Sequence, residues 1–476
     1  MPTMRPILSI PPVRQLRALA CASLLIAPFV AHGQAAAPAV SAIVAFSASE
    51  PNGGIVVGAD GGLYGTTSAA TSVTGGLIFR SSADGSAVKT IYQMSTSEAY
   101  APLAGLLVGS DGLLYGTTSL GAVSVVANTT GTVFRIKTDG TGFTILHRFE
   151  PSSASNVNSN AINTDGAFPE TALIEGSDGF LYGVTRAGGP HGTGAVFKVS
   201  RDGASFKLLH AFGAVTSDAN AAVPINSDGA APLGVVLQGA DGFIYGTTSA
   251  GGENGRGTIF RVGADGQGFQ LLHVFAALTG STSPQVNAGG ASPLAGLTDG
   301  KDGRFYGVAS GGGSNGFGTI FAFDPVSRLL NVMYNFDDTN GDGPAGAMIL
   351  GLDTRLYGTT AFGGTTSSGG KSNLGTIFSI ARDGTGFTKL HSFDSSQGSN
   401  PRGRLLQTNS TTLIGVATAA GRCGQGTLYQ YSSTGATVVG DTGCGQRRGN
   451  TGGGTTTPVL LLLMGALGLA RARRRR

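Results

Sequence analysis

The chain has 476 residues, 80 of them glycine and none tryptophan, with 31 Lys and Arg against 27 Asp and Glu. Eight of the basic residues lie at the two ends (Arg5, Arg14, Arg17, Arg471 and Arg473 to Arg476), which leaves 23 against 27 acids in the body, so nothing in the balance points to nucleic acid. Val, Ile, Leu, Phe and Tyr recur at fixed places among the glycines, which excludes a disordered low-complexity chain and favours a packed all-β one.

Residues 1–37 read as a secretory signal. Three arginines lead into the apolar run "ALACASLLIAPFVA", and small residues follow in "AHGQAAA". The run is too short for a comfortable membrane span. The chain is therefore expected to be exported.

Residues 41–446 hold seven repeats. A Tyr-Gly step recurs at Tyr64, Tyr115, Tyr182, Tyr245, Tyr306 and Tyr357, and a degenerate copy is Ile414-Gly415. Each is preceded by an Asp-Gly or similar turn and followed by a Gly-x-x-Phe phrase such as "GTIF" from Gly257. Five repeats add a third phrase, for example "LLHAF" and "LLHVF". An apolar stretch such as "PLGVVLQG" stands before each Tyr-Gly. Each unit thus contains four short strands rich in β-branched and aromatic residues, and no segment keeps a helical period. Four strands repeated seven times predict an all-β fold, a seven-bladed β-propeller of four-stranded antiparallel blades. Asp-Gly supplies the tight hairpin between the first and second strands, and the glycine of Tyr-Gly lets a neighbour approach closely. "SAIVAFS" from Ser41 resembles a fourth strand and suggests ring closure by the N-terminus. "ATVVGDTG" from Ala436 competes for that place, and the sequence leaves the choice open.

Candidate chemistry is sparse. His147, His210, His273 and His391 occupy one place in four repeats and read as strand histidines, while His191 lies in a loop. Most carboxylates are accounted for by Asp-Gly turns, and there is no nucleophile elbow. Asp338, Asn340 and Asp342 alternate before Gly343 like the start of a calcium loop, but Ile349 stands where the glutamate belongs. An ordinary turn explains these residues as well. "INTDGA" and "INSDGA" echo them in equivalent loops, and no other cofactor is expected. Cys423 and Cys444 form an even pair once the signal is removed, and a disulfide between them is expected.

The phrase "DGFIYGTTSAGGENGRGTIFRVGADGQGFQLLHVF", Asp241 to Phe275, resembles the GloVer tandem repeat of exported bacterial proteins. The resemblance covers roughly residues 42–440 and transfers no catalytic residues. After a Gly/Thr-rich linker at 447–457, residues 458–476 join a short apolar segment to an arginine cluster. With Gly452, Gly453 and Gly454 they resemble GlyGly-type bacterial sorting tails. That resemblance implies export machinery and a rhomboid-type protease as partners, removal of the tail, and a destination at the bacterial cell surface or outside the cell. The membrane would be met only through the transient tail. The sequence thus suggests a non-enzymatic binding or adhesion propeller with an unidentified carbohydrate or protein ligand. An extracellular carbohydrate-active lyase or hydrolase and a passive envelope or matrix component are the alternatives. Long, variable crossings at residues 150–169, 213–232 and 276–293 mark the expected binding face.

Overall fold

In each repeat the Tyr-Gly strand pairs with the Gly-x-x-Phe strand so that the two signatures meet. Gly246 stands opposite Phe260, and the same pairing joins Gly65 to Phe79, Gly116 to Phe134, Gly183 to Phe197, Gly307 to Phe321 and Gly358 to Phe378. A β-carbon on Gly246 would lie 2.5 Å from the Phe260 ring, so the glycine is required for the phenylalanine to lie flat across the sheet.

The computed structural model describes residues 37–435 except 47–48, 70–74, 86, 96–97, 122–129, 153–161, 217–222 and 281–282. Among these residues there are strands and no helices. The strands form seven four-stranded antiparallel blades, and the protein is a seven-bladed β-propeller. Blade 3 comprises Ile174–Glu175, Phe180–Thr185, Ala195–Ser200 and Phe206–Ala211. Blade 4 comprises Leu237–Gln238, Ile244–Thr248, Thr258–Val262 and Gln270–Val274. Middle strands are buried along nearly their whole length because a neighbouring blade covers each face. Tyr182, Val196 and Phe212 of blade 3, for instance, share one apolar cluster with Ile244, Phe260 and Val262 of blade 4. Fully burying a side chain such as Phe260 contributes about 1.5–3 kcal/mol, and every blade interface repeats that gain.

The open question of closure is decided by pairing. Ala39–Ala45 runs antiparallel to Thr427–Ser432 and becomes the fourth strand of blade 7. "ATVVGDTG" lies outside the described residues. Neighbouring blades are also locked by a proline. The glycine opening each third strand has positive φ, and a β-carbon on Gly131 would lie 2.5 Å from Cδ of Pro169 in the following blade. Gly426 meets Pro51 in the same way, which joins blade 7 to blade 1. The Thr-Thr of the second strand does two jobs. Thr247 donates to the Ala295 carbonyl of the next blade at 3.0 Å, whereas Thr248 bonds Thr258 within its own blade at 2.8 Å.

Candidate functional site

The Asp-Gly turns are more than turns. In blade 4, Asp241 Oδ1 accepts the Phe243 N–H at 3.2 Å, and Oδ2 accepts the Tyr245 hydroxyl at 2.7 Å and Arg261 Nη1 at 3.1 Å. The Tyr-to-Asp bond, four residues apart, recurs at Tyr64, Tyr115, Tyr182, Tyr306 and Tyr357. Burial first, and then the Asp302 carboxylate, push the Tyr306 hydroxyl up to about 12. At Asp178 burial opposes the charge, but bonds from Tyr182, the Phe180 N–H and Lys198 outweigh it and hold the carboxyl below its usual range. This face is thus a repeated structural device. The tyrosine hydroxyl is the part that sequence reasoning missed, and the constant four-residue spacing was its available signal.

The opposite face receives the connections between second and third strands and the crossings between blades. Here the strand-four His or Tyr is clasped by the residue before the crossing's glycine or, at the first crossing, its alanine. Tyr92 donates to Glu98 at 3.0 Å; His147 Nε2 lies 2.9 Å from Asp165, His210 Nε2 lies 3.0 Å from Asp228, and His391 Nε2 lies 2.7 Å from Gln397. Three of these rings, and Tyr334 at the same place in blade 5, also stack on an aromatic of the next blade. His147 lies 3.7 Å from Phe206, His210 3.6 Å from Phe269, Tyr334 3.6 Å from Phe387 and Tyr92 4.4 Å from Phe143. His147, His210 and His391 are therefore structural, and His191 is exposed in its loop.

The residues with calcium-like spacing belong to this same device in its shortest form. Asn340 stands six residues after Tyr334, as Gln397 does after His391, and its side chain donates to Asp337 at 3.0 Å. Asp338 has φ 66° and its carboxylate takes Lys371 Nζ at 2.6 Å, whereas Asp342 is a strand residue opposite Phe362. Among the described residues no group of three or more His, Cys, Asp or Glu is placed to hold a metal ion. Cys423 lies in the loop between the second and third strands of blade 7. Cys444, Gly452, Gly453 and Gly454 lie outside the described residues, as do residues 1–36.

The innermost segments begin at the seven prolines and pack closely. A β-carbon on Gly53 would collide with the Gly105 backbone, and one on Gly403 with the Gly53 carbonyl. After each proline the first and third residues are the less buried ones in most blades, and these line the centre of the ring. They are mostly Leu, Ala, Val and Gly, with charge in two places. Glu170 is paired with Arg186 at 3.0 Å and takes the Ser119 hydroxyl at 3.0 Å. Arg402 and Arg404 stand two residues apart in blade 7. Arg402 Nε donates to Asn400 at 2.7 Å, and its guanidinium lies 5.9 Å from the Phe362 ring. Both arginines remain solvent-accessible, yet protein surrounds them closely enough that burial draws each below its ordinary pKa. Among the described residues neither forms an ion pair. Burial pushes up the Glu50 carboxyl, just before Pro51.

Comparison with known proteins gives a family. The GH74 xyloglucanase from Xanthomonas campestris superposes with a TM-score of 0.47 at 14% identity, over 80% of this chain and 52% of its own. A putative 6-phosphogluconolactonase from Bacteroides fragilis superposes with a TM-score of 0.45 at 15% identity, over 78% of this chain and 88% of its own. No curated protein matches the sequence. Residues 34–226 and 222–365 match the Gloeobacter/Verrucomicrobia repeat, and they span most of the Tyr-Gly, Gly-x-x-Phe and His phrases whose packing is described above. The chain belongs to the Gloeobacter/Verrucomicrobia repeat family.

Proposed function

We propose that this is an exported, surface-sorted propeller that binds an extracellular ligand, without catalysing a reaction, on the face formed by the crossings. The observation that carries the reading is where the repeat departs from itself. On the Asp-Gly face the same tyrosine and aspartate bond recurs blade after blade, whereas the inner ring and crossings carry unlike groups, including the guanidiniums of Arg402 and Arg404, which form no ion pair among the described residues. Divergent chemistry on a rigid, repeated frame is what recognition needs. Incubating the purified protein with extracellular polysaccharides should give retention without new reducing ends. Release of sugar from such a polysaccharide would establish the enzyme reading instead.

Export and sorting belong to the same proposal. The signal at 1–37 directs secretion, and Gly452 to Gly454 mark the tail for a rhomboid-type protease. A disulfide between Cys423 and Cys444 would restrain blade 7 by roughly 3 kcal/mol in the chain-entropy model. One intact-mass measurement on the secreted protein addresses all three. A mass retaining either end or two reduced thiols refutes the corresponding part.

A further inference from the structure

The clasp on the crossing face has one position where its acceptor is missing from the sequence. Where Asp165 and Asp228 stand, the crossing from blade 4 to blade 5 carries Gly289. The frame around it is unchanged. Asn226 bonds the Gly213 and Gly229 carbonyls at 2.8 and 2.7 Å and accepts the Gly229 and Gly252 N–H groups at 2.9 and 2.8 Å. Asn287 repeats this with the Ala276 and Gly290 carbonyls at 2.8 and 2.9 Å and the Gly290 and Gly313 N–H groups at 2.8 and 3.0 Å. The backbone at 289 is also pinned like that at 228: Thr258 donates to the Asp228 carbonyl at 3.2 Å, and Thr319 to the Gly289 carbonyl at 3.3 Å.

Two donors therefore converge where an aspartate would lie. In the sister crossings the acceptor takes both the histidine and a backbone N–H. Asp165 receives Glu150 N at 3.0 Å, Asp228 receives Gly213 N at 3.0 Å, and Gln397 receives Asp394 N at 3.2 Å. The corresponding pair is His273 and the Ala276 N–H. Among the described residues neither the His273 ring nor the Ala276 N–H has a hydrogen-bond partner. His273 also lacks the stacked ring, since the nearest aromatic of blade 5, Phe323, is 6.5 Å away at 61°. A β-carbon built on Gly289 meets nothing within 4 Å, so the space an aspartate side chain would fill is open.

We propose that His273 and the Ala276 N–H form a binding site for the carboxylate of an external small ligand, which takes the place the aspartate holds in the sister crossings. Both carboxylate oxygens are used, one by the ring Nε2–H and one by the backbone N–H, as in the Asp165 and Asp228 clasps. The charge-assisted pair favours a carboxylate over a neutral acceptor. Burial lowers the His273 pKa and keeps the ring a neutral donor. The site lies on the crossing face and rests on the binding reading for its role in recognition, while its chemistry stands by itself.

The minimal probe is acetate, which is the aspartate side chain as a free molecule. With the full-length protein labelled on its histidine rings, acetate at constant ionic strength should move one imidazole signal saturably. That signal is the one lost in His273→Gln. Chloride and inorganic phosphate should leave it in place, and Gly289→Ala should keep the response. Gly289→Asp should move the signal toward that of His210 and weaken acetate by about tenfold or more, the loss of one charge-assisted interaction. A His273 signal indifferent to acetate overturns the proposal, as does an equal response to phosphate or an undiminished response in Gly289→Asp. The wild-type and Gly289→Ala titrations decide the matter if Gly289→Asp does not fold. Loss of the acetate response leaves the crossing-face reading standing, and shortening the crossings tests that reading separately.

Discussion

The crossing from blade 3 to blade 4 and the crossing from blade 4 to blade 5 share one frame and differ at its centre. In both, an asparagine side chain gathers four backbone groups and sets the path of the chain. In the first, Asp228 and Phe269 hold His210 from two sides. In the second, Gly289 replaces the acid and no ring stacks on His273. The comparison separates two roles that the repeat otherwise merges. The asparagine shapes the loop, whereas the acid and the aromatic only restrain the histidine. Loss of the restraint leaves the loop intact and its donors available.

The largest effect should come from breaking what the two crossings share. Asn226→Ala and Asn287→Ala each remove four hydrogen bonds, all of them part-buried except the exposed one from Asn287 to the Ala276 carbonyl. Each should cost about 3 kcal/mol, and the two costs should agree. Urea unfolding of both variants measures this, and a much cheaper Asn287→Ala would show that the frames are not equivalent. Next in size is the element that differs. Asp228→Ala should cost about 2 kcal/mol, because it strands His210 and the Gly213 N–H together. Gly289→Asp should gain about 1 kcal/mol by completing the clasp, since Gly289 does not need positive φ. A loss on adding that aspartate would mean that the His273 environment differs from that of His210.

The smallest effect is on pH dependence. Burial lowers the His273 pKa from 6.5, so folding favours the neutral ring. Its contribution is present above 6.5 and is lost as the pH falls through the folded pKa, because the unfolded chain binds the proton first. His391 shifts in the same direction and for the same leading cause, and it is common to both proteins being compared. Urea midpoints should therefore fall between pH 7.5 and pH 5 less steeply in Gly289→Asp than in the parent. Parallel curves would show that the new carboxylate does not reach the ring.

Much of this was legible in residues alone. The Tyr-Gly spacing, the Asp-Gly hairpins and the Gly-x-x-Phe phrase define four strands per blade and seven blades, because alternation and turn chemistry act over a few residues. The close approach expected at Tyr-Gly is made by the phenylalanine of the next strand. Other assignments were out of reach. His147 meets Asp165 across 18 residues of crossing and His391 meets Gln397 across six, so no fixed spacing reveals the clasp. The calcium-like run at Asp338 occupies the place of that clasp, with Asn340 six residues after Tyr334 and just before Gly341.

What the sequence determined by itself is the repeat, its strands and the two unlike faces of the ring, since each follows from local backbone preference and a hydrophobic period. What the tertiary structure decided is which distant pieces meet. Ala39–Ala45 closes blade 7, Pro51 seats on Gly426, Arg402 and Arg404 come to the centre, and His273 faces a glycine. These contacts depend on closing a ring of seven blades through crossings of unequal length. The energy that selects them lies in packing between blades, which no single repeat contains.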